Sequence, residues 1–564
     1  MWTSGESSCM QQLSSVPLRL ICAGALLASI SLPGQAPKPL HNDSARSGYV
    51  GNDACARCHA AIFESYAGSS MAHASGPAAD QFRPADFVHA KSGVHYRIYG
   101  EGGHAWLSFE RPGDPLVHGR RELLYYIGSG RRGLTYLFEV DGFLFESPVN
   151  WYGDQRVWDM APAYQTATRI PMNLPAYSSC LHCHVSGMQP PVKGTENRYA
   201  SPVLTQAGVA CERCHGPGTA HLQGGPIVNP AKLPAARRDE VCMQCHLEGK
   251  VAIERTGHHL YEYRPGDNLS DYVRYFVLEG SSDSHLGAVS QFEAFAQSIC
   301  KKKSADAMSC TSCHDPHSEP TPATRVSYYR SRCLACHGAA FGERHHPNKA
   351  DCTACHMPAT QSTDVAHTEV TDHRIPRRPL VTQQWLADAT ESKPRLVPFP
   401  SSAGADLRDR ALAWQTLADR GMSSACSEAE HLLHQAVAQF PDDPALLAAL
   451  AYVEQRGGER DGARELYQRA LTYEPASLDA ADNLGVLEAQ TGHLAHAVSL
   501  WQGVFEHAPY RSSVGMSLAY AFCASGQYEQ ARSYTLRVLE FDPDWEAAKT
   551  FLKHLDRTPP TCGP

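Results

Sequence analysis

The sequence lacks concentrated positive charge and, beyond its first 32 residues, lacks any apolar run of membrane-spanning length. A membrane helix needs about 20 consecutive apolar residues, so we expect the mature chain to be soluble, with no membrane span. No basic block stands out beyond Lys301-Lys302-Lys303, and the formal net charge is −9. Because nucleic-acid affinity depends on clustered positive charge, we expect no nucleic-acid partner.

The first 36 residues are predicted to be a signal peptide. Arg19 precedes thirteen apolar residues, LICAGALLASISL (20–32), a length typical of a signal-peptide core. Gly34-Gln35-Ala36 then supplies a small-x-small cleavage site. We therefore expect an exported protein, periplasmic or extracellular, with an uncleaved anchor as the alternative.

Most of the cysteines fall into one repeated pattern, C-x-x-C-H. It occurs seven times, at Cys55/Cys58/His59, Cys180/Cys183/His184, Cys211/Cys214/His215, Cys242/Cys245/His246, Cys310/Cys313/His314, Cys333/Cys336/His337 and Cys352/Cys355/His356. Composition alone would produce about 0.04 matches. Two thiols at this spacing attach a haem by thioether bonds, and the following histidine is the proximal iron ligand. A zinc site pairs two half-sites and does not require histidine at one fixed offset. The sequence therefore predicts seven covalently bound c-type haems as cofactors.

Six cysteines lie outside these motifs. Two belong to the predicted signal peptide, and the others are Cys300, Cys426, Cys523 and Cys562. Haem attachment implies maturation outside the cytoplasm, where disulfides also form. A disulfide among the last three and free buried thiols are both open alternatives.

The predicted haem region covers residues 37–385 and holds all seven motifs. With about 50 residues for each haem, its core is expected to be the macrocycles themselves. Residues 87–150 differ because aromatic and β-branched runs flank a turn signal at Asp141-Gly142, which predicts a β-rich insertion. Inside it, GSGRRG (128–133) matches a nucleotide-binding glycine pattern. That site needs a following helix, whereas LTYLFEV predicts a strand, so we interpret the glycines as a turn.

The rest of the chain is predicted to be a linker, 386–405, and a helical repeat region, 406–564. Proline recurs every 34 residues, and small residues recur at the same step. The proline positions are Pro441, Pro475, Pro509 and Pro543, and the alanine positions are Ala429, Ala463, Ala497 and Ala531. This period and these residue types are those of tetratricopeptide repeats. The fold class is therefore mainly α, and the array is expected either to dock a partner or to stabilise an oligomer.

Histidines outside the motifs are candidates for the second axial ligand of each iron. Sixteen of them lie in residues 41–373, where the motifs are, and none lies in residues 374–430. His317 follows His314 by three residues, too few to pass round a porphyrin edge. If His317 is a ligand, it must therefore serve a neighbouring haem. His221, after the tight turn at residues 216–218, is expected to do the same.

Four segments carry a resemblance to a known family: CERCHGPGTAH, CTSCHDPH, DCTACHMP and HTEVTDHRI. They resemble multihaem cytochromes of the cytochrome c-554 type that carry C-terminal tetratricopeptide repeats. The resemblance implies that the histidines after such motifs ligate neighbouring haems, which here are His221, His317, His367 and His373. His73, His285 and His346 are further candidates on position alone. Wider relatives include multihaem nitrite reductases, but this sequence has no C-x-x-C-K motif.

The function predicted from these features is electron transport through the haems, with redox proteins as partners. Two alternatives stay open. One is an oxidoreductase in which a small nitrogen or sulfur compound reacts at one five-coordinate haem. The other is a structural subunit of a conductive haem filament, for which the chain would form a homo-oligomer.

Overall fold

The structure is a computed structural model that describes residues 48–162, 164–279, 286–345, 350–377, 395–400 and 404–563. The predicted signal peptide, much of the predicted linker, His285 and His346 lie outside these residues. As predicted, the chain is mainly α-helical, with a β-rich region in its N-terminal half. No helix in the described ranges is long and apolar enough to cross a membrane.

Eight strands form one antiparallel sheet. They are β1 (Ser75–Pro77), β2 (Ala85–His89), β3 (Val94–Glu101), β4 (His104–Arg111), β5 (Asp114–Ile127), β6 (Gly133–Val140), β7 (Phe143–Tyr152) and β8 (Val157–Met160). Strands β2 to β8 lie side by side in sequence order, and β1 pairs with β5. The sheet extends past the predicted range 87–150 at both ends. The added strands are short, so they carry too few residues for a clear period-two pattern.

Two turns of the sheet follow the sequence prediction. Asp141 and Gly142 have φ values of 52° and 81°, and two positive φ angles are what a two-residue hairpin of type I′ requires. The glycine-rich segment 128–133 joins β5 to β6, so a strand follows it, as predicted. A Cβ on Gly128 would lie 2.4 Å from the carbonyl oxygen of Gly133, so only glycine fits this turn.

The segments that carry the C-x-x-C-H motifs contain mostly short helices. They are α1 (Asn52–Ala56), α2 (Ala60–Ala67), α3 (Ser178–His182), α4 (Glu212–His215), α5 (Thr219–Leu222), α6 (Ala235–His246), α7 (Gln291–Gln297), α8 (Ile299–Ser304), α9 (Arg325–His337), α10 (Ala339–His345) and α11 (Thr353–His356). Helices α9, α10 and α11 bury none of their side chains. Protein packing alone therefore gives this part of the chain no core.

Small antiparallel sheets connect these segments. They are β9 (Gly187–Met188) with β10 (Leu204–Gln206), β11 (Val251–Glu254) with β12 (Val273–Glu279) and β15 (Arg395–Phe399), and β13 (Ala359–Gln361) with β14 (Glu369–Thr371). Strand β15 lies inside the predicted linker 386–405. It is an edge strand, which tolerates Pro398 because proline lacks only the N–H on its outer side.

The C-terminal region is an array of paired helices. They are α12 (Leu407–Asp419), α13 (Cys426–Gln439), α14 (Pro444–Gly457), α15 (Arg460–Tyr473), α16 (Leu478–Gln490), α17 (Leu494–His507), α18 (Ser512–Ala524), α19 (Tyr528–Phe541) and α20 (Glu546–Leu555). The residues that repeat every 34 positions lie where helices touch. Ala463, Ala497 and Ala531 are fully buried. A Cβ on Gly485 would lie 2.6 Å from Nε1 of Trp501, so the small residue is needed for close packing.

The array is packed against the large sheet. Tyr510 and Phe541 from the array share one buried core with Phe143 and Phe145 of β7. Phe541 is 1% exposed, and its ring lies 5.8 Å from that of Phe145. Sheet and array are therefore joined by a continuous hydrophobic core.

Ion pairs surround this hydrophobic contact. Arg111 of β4 donates to both carboxylate oxygens of Asp544, at 2.7 and 2.5 Å. Lys549 of α20 donates to Asp114 at 2.8 Å. Because Asp544 and Lys549 are themselves almost fully buried, breaking either pair would leave a charge without its partner.

A disulfide joins Cys523 of α18 to Cys562, near the C-terminus. It is one of the pairings that the sequence left open. The bond ties the segment after α20 back to the array.

Candidate haem-binding sites

Each C-x-x-C-H motif needs its two thiols on one side of the chain and its histidine just beyond them. In the first motif the N–H groups of Cys58 and His59 both donate to the carbonyl of Cys55, at 3.2 and 2.9 Å. The motifs that begin at Cys211, Cys310 and Cys352 make the same pair of bonds. One tight helical turn therefore brings the two thiols to one face, because residues three apart are neighbours on a helix.

Four motif histidines lie parallel to a histidine from another segment. The ring pairs are His59 with His221 (centroids 6.4 Å apart, planes inclined by 12°), His215 with His317 (6.0 Å, 8°), His314 with His373 (6.2 Å, 27°) and His356 with His345 (6.2 Å, 24°). In no pair do both histidines belong to one motif. Distant parts of the chain are thus brought together ring to ring.

The ring separations match what an iron between two imidazoles requires. A ring bound through Nε2 at about 2.0–2.1 Å has its centroid about 3.2 Å from the metal, so two opposed rings have centroids about 6.3 Å apart. A haem supplies the other four ligands itself. Within the described residues, no three His, Cys, Asp or Glu side chains are grouped to hold a bare metal ion. The donors present therefore fit haem.

The second ring nitrogen of these histidines is anchored to the backbone. In each case Nδ1 lies near a backbone carbonyl oxygen. The distances are 2.8 Å from His215 to Val228, 3.1 Å from His221 to Gly225, 2.9 Å from His356 to Pro376 and 2.9 Å from His373 to Thr371. A carbonyl only accepts, so Nδ1 carries the proton and Nε2 keeps its lone pair. This is the usual arrangement of a metal-ligating histidine.

Burial favours the neutral, ligating form of the rings. It lowers the pKa of His314 to about 4, with the neighbouring His373 adding to the effect. Burial is also the largest cause of the lowered pKa of His184, His215 and His246. Imidazole must be neutral to bind a metal, so the surroundings of these rings suit them to that role.

Thiols of different motifs lie close enough to shift one another's pKa, so the attachment sites are adjacent. The interacting pairs are Cys55 with Cys211, Cys183 with Cys245, Cys242 with Cys310, and Cys333 with Cys352. The thiol of Cys313 also lies within electrostatic range of Cys336. The first motif thus neighbours the third. The other five form a series in which each neighbours the next, in the order second, fourth, fifth, sixth and seventh.

Cys355 is the second cysteine of the seventh motif. Its thiol is free and half-buried, as is that of Cys352. Its backbone N–H donates to the carbonyl of Cys352 at 3.4 Å, the longest such bond among the four motifs with this turn. Its role in haem attachment, like that of the other motif cysteines, stays a prediction from sequence.

Histidines predicted on weaker grounds have varied surroundings. His73 is exposed, one residue before Ala74, whose backbone lies near enough to the His184 ring to affect its pKa. His285 and His346 lie outside the described residues. His345, which the sequence analysis overlooked, is the residue that pairs with His356. It ends α10, which is separated from α9 by a break at Gly338 (φ 74°), so no helical spacing from His337 could have identified it.

His367, a ligand implied by the family resemblance, is not paired with a motif histidine in the described part of the chain. Its Nδ1 lies 2.9 Å from Oε1 of Gln155, and its Nε2 lies 2.7 Å from Oδ2 of Asp159. Both ring nitrogens therefore contact side chains at the end of the large sheet. The role of His367 as an iron ligand stays a prediction from the family resemblance.

The large sheet contacts the segments that deliver the paired histidines. Arg131, in the turn between β5 and β6, forms an ion pair with Glu319, two residues after His317. Glu319 also accepts a hydrogen bond from the backbone N–H of Ser70, at 2.9 Å. The turn that resembled a nucleotide site thus holds a neighbouring chain segment.

Comparison with known proteins gives two family matches. Residues 158–216 match the family "Cytochrome c554 and c-prime", and residues 303–341 match the family "Doubled CXXCH motif". A curated relative, the multiheme cytochrome MtrA of Shewanella baltica (strain OS185), is 28% identical over 187 residues. That alignment covers 29% of this chain and 54% of the relative, so the chain spans about half the length of the curated relative it matches.

Solved structures similar to part of the chain include MamA (19% identity, TM-score 0.22, covering 26% of this chain and 81% of that one). A second is MamA 41-end from Desulfovibrio magneticus RS-1 (17% identity, TM-score 0.24, covering 27% of this chain and 86% of that one). A third is pilF of Pseudomonas aeruginosa (20% identity, TM-score 0.25, covering 26% of this chain and 68% of that one). The helices of the repeat array and their 34-residue period are typical of tetratricopeptide repeats.

Proposed function

We propose that this chain, a multihaem c-type cytochrome with tetratricopeptide-type repeats, carries electrons outside the cytoplasm through seven covalently bound haems. One-electron exchange is the chemistry that haem iron supplies when bound. The attachment residues are the fourteen cysteines of the seven C-x-x-C-H motifs, and the motif histidines are the proximal ligands. Haem attachment and the predicted signal peptide both support an exported location.

The observation that carries this proposal is the set of four parallel imidazole pairs. Each pair joins a motif histidine to a histidine outside that motif, which supports His221, His317, His345 and His373 as distal ligands. Six-coordinate iron with two fixed imidazoles changes its ligands little on oxidation or reduction. Such sites suit electron transfer better than substrate binding.

Three haems remain. We propose His73 as the distal ligand of the second haem, His285 as that of the fourth and His346 as that of the sixth. His73 is supported by its position next to Ala74, beside the ring of His184. The other two remain predictions from sequence position.

The contacts between motifs support a continuous electron path. Thiols of neighbouring motifs lie near enough to shift one another's pKa, so the haems attached to them would be close. Shared ligand segments add to this. His317 follows the fifth motif and pairs with the histidine of the third, and His221 follows the third and pairs with that of the first.

We also propose the domain division predicted from the sequence: a haem region from 37 to about 385, a short linker, and a repeat region from 406. Part of the array surface is covered by the large sheet. We propose that redox partners dock on the remainder, where Tyr473 and Tyr528 are exposed.

Haem count and spin state test the proposed function. Mass spectrometry of the purified holoprotein should give seven haems, and replacing both cysteines of one motif with alanine should remove one. Electron paramagnetic resonance of the oxidised protein should show low-spin haems only. A stoichiometric high-spin signal that shifts on adding cyanide or nitrite would instead support the oxidoreductase alternative.

Docking by the array is tested with a rate comparison. Substituting Tyr473 and Tyr528 with serine should slow reoxidation of the reduced haems by an extracytoplasmic extract. Reoxidation by a small chemical oxidant should be unchanged, because the haems themselves are untouched. Equal rates for variant and wild type with the extract would contradict docking at this surface.

A further inference from the structure

One buried carboxylate holds together three segments around the first and third motifs. Glu212, between the two cysteines of the third motif, is 3% exposed. Its Oε1 and Oε2 accept hydrogen bonds from Val50 N–H at 2.9 and 3.1 Å. Oε2 also accepts from Gly51 N–H at 2.8 Å, and Oε1 from Gly218 N–H at 2.8 Å.

Each of these three amides belongs to a segment that leads to a paired histidine. Val50 and Gly51 directly precede α1, which carries Cys55 and leads to His59. Gly218 directly precedes α5, which carries His221. The same carboxylate therefore fixes the start of both segments whose rings face each other across 6.4 Å.

Further contacts close this junction. The backbone N–H and the hydroxyl of Thr219 donate to the carbonyl of Gly48, at 3.0 and 2.8 Å. A Cβ on Gly218 would lie 2.7 Å from Cγ2 of Val50, so the two segments approach as closely as glycine allows. The N–H of Cys211 donates to Oδ1 of Asn52 at 3.0 Å.

We propose that Glu212 is a positioning residue that sets the axial ligation of the first haem by holding His221 opposite His59. The proposal rests on the proposed function, because it takes His221 as the distal ligand of that haem. Glu212 acts through the three backbone amides that it accepts from, and it thereby makes ligation of the first haem depend on the third motif.

Loss of the carboxylate leaves three amide donors unsatisfied in a buried place, and the α5 segment loses its tie to α1. Glutamine cannot replace it fully, because its NH₂ group is a donor and would face the N–H of Gly51. We therefore expect Glu212→Ala, and to a smaller degree Glu212→Gln, to release His221 from the first haem while the haem stays covalently attached.

The test is a double-substitution series on the oxidised full-length holoprotein, followed by electron paramagnetic resonance. His221→Ala should convert one of seven haems to high spin, with the haem count unchanged by mass spectrometry. Glu212→Ala should produce the same signal, and Glu212→Ala/His221→Ala should produce no more than either alone. Glu101→Gln, an exposed carboxylate that pairs with Arg120 on the large sheet, is the matched control and should stay low-spin.

The outcomes separate the two proposals. A low-spin His221→Ala protein would overturn the ligand assignment itself. If His221→Ala opens a haem while Glu212→Ala stays low-spin, or if the double variant opens two haems, the positioning role is wrong. If Glu212→Ala fails to mature with its haems, Thr219→Val decides, because it removes only the hydroxyl bond with Gly48. A partial high-spin signal in Thr219→Val that does not add to the His221→Ala signal supports the proposal. An unchanged low-spin spectrum of Thr219→Val overturns it.

Discussion

Phe541 offers a direct test of how strongly the repeat array is built into the molecule. Its ring enters the core of the large sheet from the last turn of α19. There it lies 5.8 Å from the ring of Phe145 and 6.5 Å from that of Phe143, the latter nearly edge-on at 85°. Arg537 stacks above it at 4.6 Å. Phe541→Ala would leave a cavity at the junction of two substructures.

The expected cost follows from burial and from these contacts. Truncating a buried phenylalanine to alanine destabilises by about 3–5 kcal/mol. Each well-placed aromatic pair contributes about 0.5–1.5 kcal/mol beyond its buried area. These terms overlap, so we expect Phe541→Ala to lower the free energy of unfolding by about 4 kcal/mol.

Leu536 on the same helix provides the matched control. It is 41% exposed, against 1% for Phe541. Leu536→Ala should change stability by only about 0.5 kcal/mol, since exposed sites contribute little. Urea unfolding followed by far-ultraviolet circular dichroism measures both variants. Equal effects of the two substitutions would refute the view that array and sheet share one core.

Three further predictions follow from other parts of the fold. Cys523→Ser/Cys562→Ser should destabilise the C-terminal helices by up to about 4 kcal/mol, which is the chain-entropy value for a separation of 39 residues. The loss should appear as a lower urea midpoint, and an unchanged midpoint would mean that the disulfide constrains the chain little. Burial raises the pKa of Asp542 to about 6, so its ionisation opposes folding as pH rises from about 4 to 6, and the effect then levels off. Asp542→Asn should therefore be more stable than wild type at pH 8, by about 2–3 kcal/mol, with the advantage vanishing near pH 4 in thermal melts; a pH-independent difference would contradict this assignment. Cys333→Ala/Cys336→Ala should expose α9 to limited proteolysis, because that helix buries no side chain of its own; continued protection would show that protein packing suffices.

The sequence predicted the architecture where local patterns are strong. The 34-residue period located the helix contacts of the array, and Asp141-Gly142 located a hairpin turn. Strand β15 inside the expected linker was missed because five residues carry too little periodicity. The packing of Phe541 into the sheet was missed for a different reason: a buried phenylalanine looks the same whether its partner is local or distant in sequence.

The same contrast holds for the candidate sites. The motif cysteines and histidines follow a fixed local spacing, so one sequence is enough to recognise them. Distal histidines are chosen by tertiary structure, and this is why His345 was overlooked in favour of its neighbour. His367 has the sequence context of a ligand, yet Asp159 and Gln155 occupy both of its ring nitrogens. Only the fold shows that competition.

Locating the irons in the holoprotein tests the central claim most directly. Anomalous diffraction at the iron edge would place each metal relative to the histidine pairs. The account predicts an iron about 2 Å from Nε2 of both His215 and His317, in the haem attached to Cys211 and Cys214. An iron bound by His317 in the haem of Cys310 and Cys313, or a His317 ring turned to solvent, would contradict it.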